Sequence, residues 1–300
     1  MSALRHFFLD PEPPLVAVEV RPRSVGVVRV VKEADRLALA AAASLDLAPG
    51  VLKPSISEDN LADPAAFRAT LRSACERAGV VQGARVALVL PDPVARVSLL
   101  PASELPARGA AEAQELVRFR LRKALPFDVR DARVALRREG DQVLAVTSSR
   151  LALDPYEAAC RDCGLDPGLV ELSGLVLTDA VLASRPPSDR LIVNWDHGYA
   201  SLLLTQGGVP TLVRTLLGPA ADSAEALRRE IEGTLVYYRE RLGGQGLSGI
   251  SVRSAAAELS LFPQELGLPA EPIEVFGVDD RRLPLQALAG AAASLFRRVA

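Results

Sequence analysis

The sequence predicts an α/β protein of two related domains, the first interrupted by a small ferredoxin-like module. One device opens each half of the chain: an apolar strand, a tight polar turn and a second apolar strand. It appears at residues 15–31 (LVAVEVRPRSVGVVRVV) and again at 191–217, where a third strand follows. Residues 96–167 run strand, helix, strand, strand, helix, strand, the order of a ferredoxin-like sandwich. Two meander domains, each continued by helices, is the simplest architecture that explains the repeat.

Length and charge agree. Three hundred residues suffice for two domains, and a net charge of −2 provides no global field for nucleic acid or an anionic membrane. Aromatic residues make up 4% of the chain, so the core is built from Leu, Val and Ala and few rings are left to stack on bases. No apolar run approaches the roughly 18 residues of a membrane span. The start, MSALRHFFLDPEPP, lacks the apolar region and cleavage site of a signal peptide. Three cysteines, an odd and low number, suit a reducing compartment. The expectation is a cytoplasmic protein.

The elements follow in order. Residues 1–14 read as a loose arm ending in Pro-Glu-Pro-Pro, with His6-Phe7-Phe8 in a frayed terminus. The first meander runs to about Ser44. Asp63-Pro64 opens a helix, with Asp63 as N-cap and Pro64 in its first turn; Phe67, Leu71, Ala74 and Ala78 form its apolar face and Gly79 stops it. Residues 85–90 (RVALVL) read as a strand buried on both faces, closed by Pro91-Asp92-Pro93. In the insert, 97–100 is a strand, 110–125 a basic helix ended by Pro126, and 131–138 and 142–148 two strands. A helix capped by Asp154-Pro155 ends at Gly164, and 169–172 completes the module. A helix over 174–183 and the hinge Arg185-Pro186-Pro187-Ser188 lead to the second meander. Beyond it come a long helix over 224–242, a strand at 249–253, a helix over 258–267, a strand within 269–278 and a helix from about Pro284.

Catalytic signals are few. The chain has no G-x-x-x-x-G-K-[ST] loop, no G-x-S-x-G and no H-E-x-x-H. His197, beside Asp196, reads as a polar turn residue. Cys160 and Cys163 spell C-x-x-C but fall late in a helix, where the helix dipole does not lower a thiol pKa, so they read as two thiols packed inward. Glu104 and Glu112 read as solvated. The basic helix carries Arg118, Arg120, Arg122 and Lys123, followed by Arg130 and Arg133. Three readings stay open: a solvated face balanced by Glu112, Glu115, Asp128 and Asp131; a nucleic-acid surface, against which only Phe119 and Phe127 are interleaved; and a docking surface for a protein segment.

The run Arg118 to Val129, RFRLRKALPFDV, resembles a segment of the PilM proteins. Val89-Leu90-Pro91 before it, Cys163-Gly164-Leu165-Asp166-Pro167 after it, the helix over 225–241 and Glu265-Leu266-Gly267-Leu268-Pro269 match that family in order. The resemblance implies an actin-like (ribonuclease H-like) α/β fold: domain I at 1–95 and 168–187, a ferredoxin-like insert at 96–167, and domain II at 188–300. It implies a component of the inner-membrane platform of type IV pili that binds the cytoplasmic N-terminal tail of PilN; the GspL cytoplasmic domain of type II secretion is a related form. The tail is expected between the first domain and its insert, near Arg118, Arg122, Pro126 and Phe127. Attachment to the membrane is then through a partner, and self-association stays open.

The family's nucleotide loops are altered here. The glycine of the first phosphate loop is Arg21, followed by Pro22, which has no N–H to offer. The glycine of the second is Asp196, whose carboxylate repels a phosphate. The adenosine-side stretch, SGGGA in the family, appears here as Arg253-Ser254-Ala255-Ala256-Ala257. The expectation is therefore an actin-like adaptor that binds ATP and magnesium weakly or not at all. The alternative is an ATPase with an atypical site formed by Arg21, Arg23, Ser24, Asp196, His197 and Gly198, where arginine side chains replace backbone donors. A sugar-kinase relative lacks a candidate base.

Overall fold

The structure, a computed structural model, describes residues 13–33, 36–106, 109–254, 268–273, 275 and 285–296. His6-Phe7-Phe8, the expected helix over 258–267 and Ala255 to Ala257 lie outside the described residues.

The first sheet has the order β3-β2-β1-β4-β8, from β1 (Val16–Arg21), β2 (Ser24–Glu33), β3 (Arg36–Asp46), β4 (Arg85–Leu90) and β8 (Asp166–Leu172). The second repeats it as β11-β10-β9-β12-β13, from β9 (Arg190–Asp196), β10 (Tyr199–Gln206), β11 (Val209–Leu217), β12 (Ile250–Ser254) and β13 (Ala270–Pro272). In each, three antiparallel strands are continued by two parallel ones. The repeated meander thus marks two copies of one sheet, and the second copy's strands are short apolar runs because both faces are covered.

Helix α1 (Pro64–Arg77) starts where its cap predicts: the Asp63 carboxylate accepts from the N–H of Ala65 and Ala66, and Phe67, Leu71 and Ala74 are buried. Helix α5 (Ala224–Glu240) is capped by Ser223 and buries Leu227, Ile231 and Tyr238 on the second sheet. Two further helices cross over. Helix α4 (Ser173–Ala183), which follows β8, packs against β9 and β10, whereas α6 (Leu285–Phe296) lies on β1, β2 and β4 of the first sheet. Their small and apolar residues make one core between the domains, in which Val176, Leu177 and Val181 meet Ile192, Leu203, Ala289 and Ala292.

The insert contains four of the six elements read from its sequence. Strand β5 (Arg96–Pro101), α2 (Ala110–Leu121), β6 (Ala132–Glu139) and β7 (Gln142–Ser149) form a three-stranded antiparallel sheet, order β5-β7-β6, with α2 on one face through Val117 and Leu121. The next helix, α3 (Arg150–Asp162), and β8 return to domain I: β8 pairs in parallel with β4, and Tyr156, Ala159 and Cys160 enter the first core. Element order alone does not distinguish these pairings, because β8 offers its apolar face to either sheet. Helix α3 also starts four residues before Asp154, at a cap made by Ser149, whose hydroxyl accepts from Ala152 N–H. Cys160 and Cys163 are buried and free, as is Cys75, and burial pushes the Cys160 and Cys75 thiols up to about 12.

Candidate functional site

The two sheets bring their first hairpins together. Arg21 pairs with Ser24, so the first turn is only Pro22-Arg23; Asp196 pairs with Tyr199, so the second is only His197-Gly198, with Gly198 at φ +78°. The turns are joined by a buried ion pair, Arg21 Nε to Asp196 Oδ2 at 2.7 Å.

Behind that pair lies a group that sequence reasoning missed. Arg253, on β12, is fully buried. Its Nε donates to Asn194 Oδ1 at 2.7 Å, its Nη1 to Glu19 Oε1 at 2.8 Å, and its Nη2 to Ser173 Oγ at 3.1 Å and Asp196 Oδ2 at 3.4 Å. Asn194 in turn donates from Nδ2 to Asp92 Oδ2 at 2.7 Å, and Asp92 Oδ1 accepts from the N–H of Gly174 at 2.7 Å. Glu19 Oε2 accepts from Ala291 N–H at 2.9 Å. Two glycines make room: a Cβ on Gly290 would lie 2.3 Å from Glu19 Oε1, and one on Gly174 2.7 Å from Asp92 Oδ2. The signal in the sequence was a polar residue inside an apolar strand: Glu19 in VAVEVR, Asn194 in LIVNWD and Arg253 in ISVRS.

The cluster holds three acids, Glu19, Asp92 and Asp196, against two guanidiniums, Arg21 and Arg253. Burial opposes ionisation of Asp196, but His197, Arg253 and Arg21 outweigh it and hold the carboxyl well below the usual range. At Asp92 burial prevails over the hydrogen bonds from Ser201, Gly174 and Asn194 and over Arg253, and its pKa is raised. Burial likewise opposes the charge on Arg253, yet Glu19 and Asp196 keep it charged.

This arrangement does not fit a nucleotide phosphate between the turns. A phosphate needs backbone N–H groups turned toward it. Pro22 has none, and Arg21 and Arg253 are directed at carboxylates. A pocket of about 330 Å³ does remain beside the second turn, lined by Arg23, Asp196, His197, Gly198, Asp222 and Ser254 among others. Ser24 is buried and lies outside that lining. Among the described residues no group of three or more His, Cys, Asp and Glu side chains is set to hold a metal ion.

A second concavity separates domain I from the insert. This groove, about 410 Å³, is lined by Leu90, Leu144, Val146, Leu169, Leu172 and Leu175 among others. Two arginines of β6 bracket it: Arg133 pairs with Asp154 and Glu157 of α3, and Arg137 with Asp179 of α4. The expected docking residues lie elsewhere. Arg118, Arg122, Pro126 and Phe127 do not line the groove; Phe127 packs into the insert's own core beneath α2. Arg118 pairs with Glu115, Arg120 with Glu104, and Arg122 stacks over the exposed Phe119 ring at 4.3 Å. The basic face is thus largely balanced by acids of the insert.

No family model and no curated protein matches the sequence. Solved structures do. A chain of the "PilM-PilN type IV pilus biogenesis complex" superposes with a TM-score of 0.75 at 20% identity, over 96% of this chain and 99% of that one. The cytoplasmic domain of EpsL, an inner membrane component of the type II secretion system of Vibrio cholerae, gives 0.53 at 16% identity, over 92% and 93%. A Bacteroides thetaiotaomicron protein with an actin-like ATPase fold and unknown function gives 0.53 at 9% identity, over 84% and 86%. The fold of this chain is therefore actin-like over nearly its whole length. Among the described residues no helix is long and apolar enough to cross a membrane.

Proposed function

We propose that this chain is a non-catalytic actin-like adaptor of a type IV pilus assembly platform, cytoplasmic and held at the inner membrane by the tail of a PilN-like protein. The likeness to the pilus complex over nearly the whole of both chains carries the reading. The filled cleft supports the non-catalytic part, since the side chains that replace phosphate-loop glycines satisfy one another. The tail is assigned to the apolar groove between domain I and the insert, which accepts an extended apolar segment, rather than to the α2 face around Arg118, Arg122, Pro126 and Phe127. A tail that orders on binding has modest affinity, which shared membrane attachment raises.

Two experiments test it. A synthetic peptide of the cytoplasmic N-terminal tail of a PilN-like protein is titrated against the purified chain; saturable binding lost in a groove variant supports the adaptor, and no binding overturns the tail assignment. Millimolar ATP with magnesium is expected to leave the melting temperature unchanged, whereas a ligand at a hundred times its Kd adds about 2.7 kcal/mol of stability. A clear shift, abolished by Arg23→Ala, favours the ATPase reading, whose support is the pocket beside Arg23 and His197. The likeness to the EpsL domain makes a type II secretion platform the second setting for the same adaptor role.

A further inference from the structure

Asp92 occupies a junction of three bodies. It opens the 3-10 turn Asp92–Val94 that carries the chain from β4 of domain I into β5 of the insert. Its Oδ1 accepts from Gly174 N–H in the first turn of α4, and its Oδ2 from Asn194 on β9 of domain II. Asn194 has no freedom to turn over: its Oδ1 is held by Arg253 Nε, so its Nδ2 must face Asp92. The residues on either side of these contacts are groove residues. Leu90 and Ala95 flank Asp92, and Leu172, Leu175 and Val176 flank Gly174. Strand β11 of domain II also rests against this turn and against β5.

We propose that Asp92 is a positioning residue that couples the apolar groove to the inter-domain cleft, so that the groove wall and the closure of domain II on domain I move as one. The chain Arg253 to Asn194 to Asp92 to Gly174 is a continuous set of directed hydrogen bonds between buried groups. Such a set has few alternative arrangements: breaking one bond leaves a buried donor unsatisfied and shifts its neighbours. If the groove binds the partner's tail, occupancy then stiffens the cleft, and by reciprocity a stiffer cleft binds the tail more tightly. That consequence rests on the proposed docking role; the coupling itself does not.

The test therefore uses the chain without ligand. Amide hydrogen exchange is followed in β6 and the first turn of α4, which line the groove, and in β9 and β12, which line the cleft. Asp92→Asn keeps an acceptor for Gly174 N–H but turns its new amide donor against the amide donor of Asn194. It is expected to speed exchange about tenfold in both regions together. The exchanged pair, Asp92→Asn with Asn194→Asp, restores donor to acceptor at both ends, because the carboxylate moved onto β9 accepts from Arg253 and from the amide that faces it. This pair is expected to return protection to both regions. Arg253→Lys, on the far side of the relay, is expected to loosen the groove wall as well. Acceleration confined to one region in Asp92→Asn, or no rescue by the exchanged pair while both variants melt cooperatively, overturns the coupling.

Discussion

Two concavities among the described residues have opposite character. The inter-domain cleft is charged, buried and closed by its own side chains; the groove between domain I and the insert is apolar, open and bracketed by half-exposed arginines. In the cleft Arg21, Arg253, Glu19 and Asp196 are partnered within the chain, so a ligand entering among them must displace an ion pair. In the groove, Val146, Leu153, Leu169 and Leu175 are only partly covered, so a segment entering it gains by burying what they still expose. The fold is actin-like, yet its buried polar chemistry is used to join domains and its apolar hollow lies beside the insert.

The strongest way to break this contrast is Arg253→Met. It leaves Glu19 buried without its guanidinium and Asp196 with Arg21 alone, and is expected to cost about 3–5 kcal/mol in urea denaturation. A loss below about 1 kcal/mol would mean that the cluster is hydrated and the cleft accessible.

Acid should act on the same cluster. The folded-state pKa of Asp196 is depressed, so its contribution is fully present above the ordinary carboxylate range near 4 and is lost as pH falls below it. Asp92 has the opposite sign: its folded pKa is raised, so its contribution is present below about 4 and declines as pH rises through the folded value. Stability against pH, measured by urea denaturation, is expected to lose its acid limb in Asp196→Asn and its declining upper limb in Asp92→Asn.

Smaller effects separate packing from charge. Gly290→Ala places a methyl group against the Glu19 carboxylate and is expected to cost about 1–3 kcal/mol. In the groove, Ala135→Glu adds a charge at an exposed position of β6. It should weaken tail binding about tenfold, or about 1.4 kcal/mol, with the melting temperature unchanged. An Arg118→Glu/Arg122→Glu pair should bind the tail like wild type; if that pair loses binding and Ala135→Glu retains it, the docking face is α2. Arg137→Met, at a half-exposed ion pair, should change stability by less than about 1 kcal/mol.

Local chemistry determined much of this molecule from the sequence alone. The two meanders, the Asp63 cap and the inward-packed Cys160 and Cys163 were legible because each depends on neighbours a few residues away. The resemblance to PilM proteins added the actin-like arrangement of the two halves. Three features were decided only in three dimensions. Strand β8 joined β4 rather than the insert, since an apolar strand carries no mark of which sheet edge it will pair with. The groove formed where β6, β8 and α4 meet, away from the arginines that the sequence places together on α2. Glu19, 234 positions from Arg253, became its ion partner. A buried charge announces in the sequence that it must be neutralised, but the group that neutralises it is chosen by how the domains close.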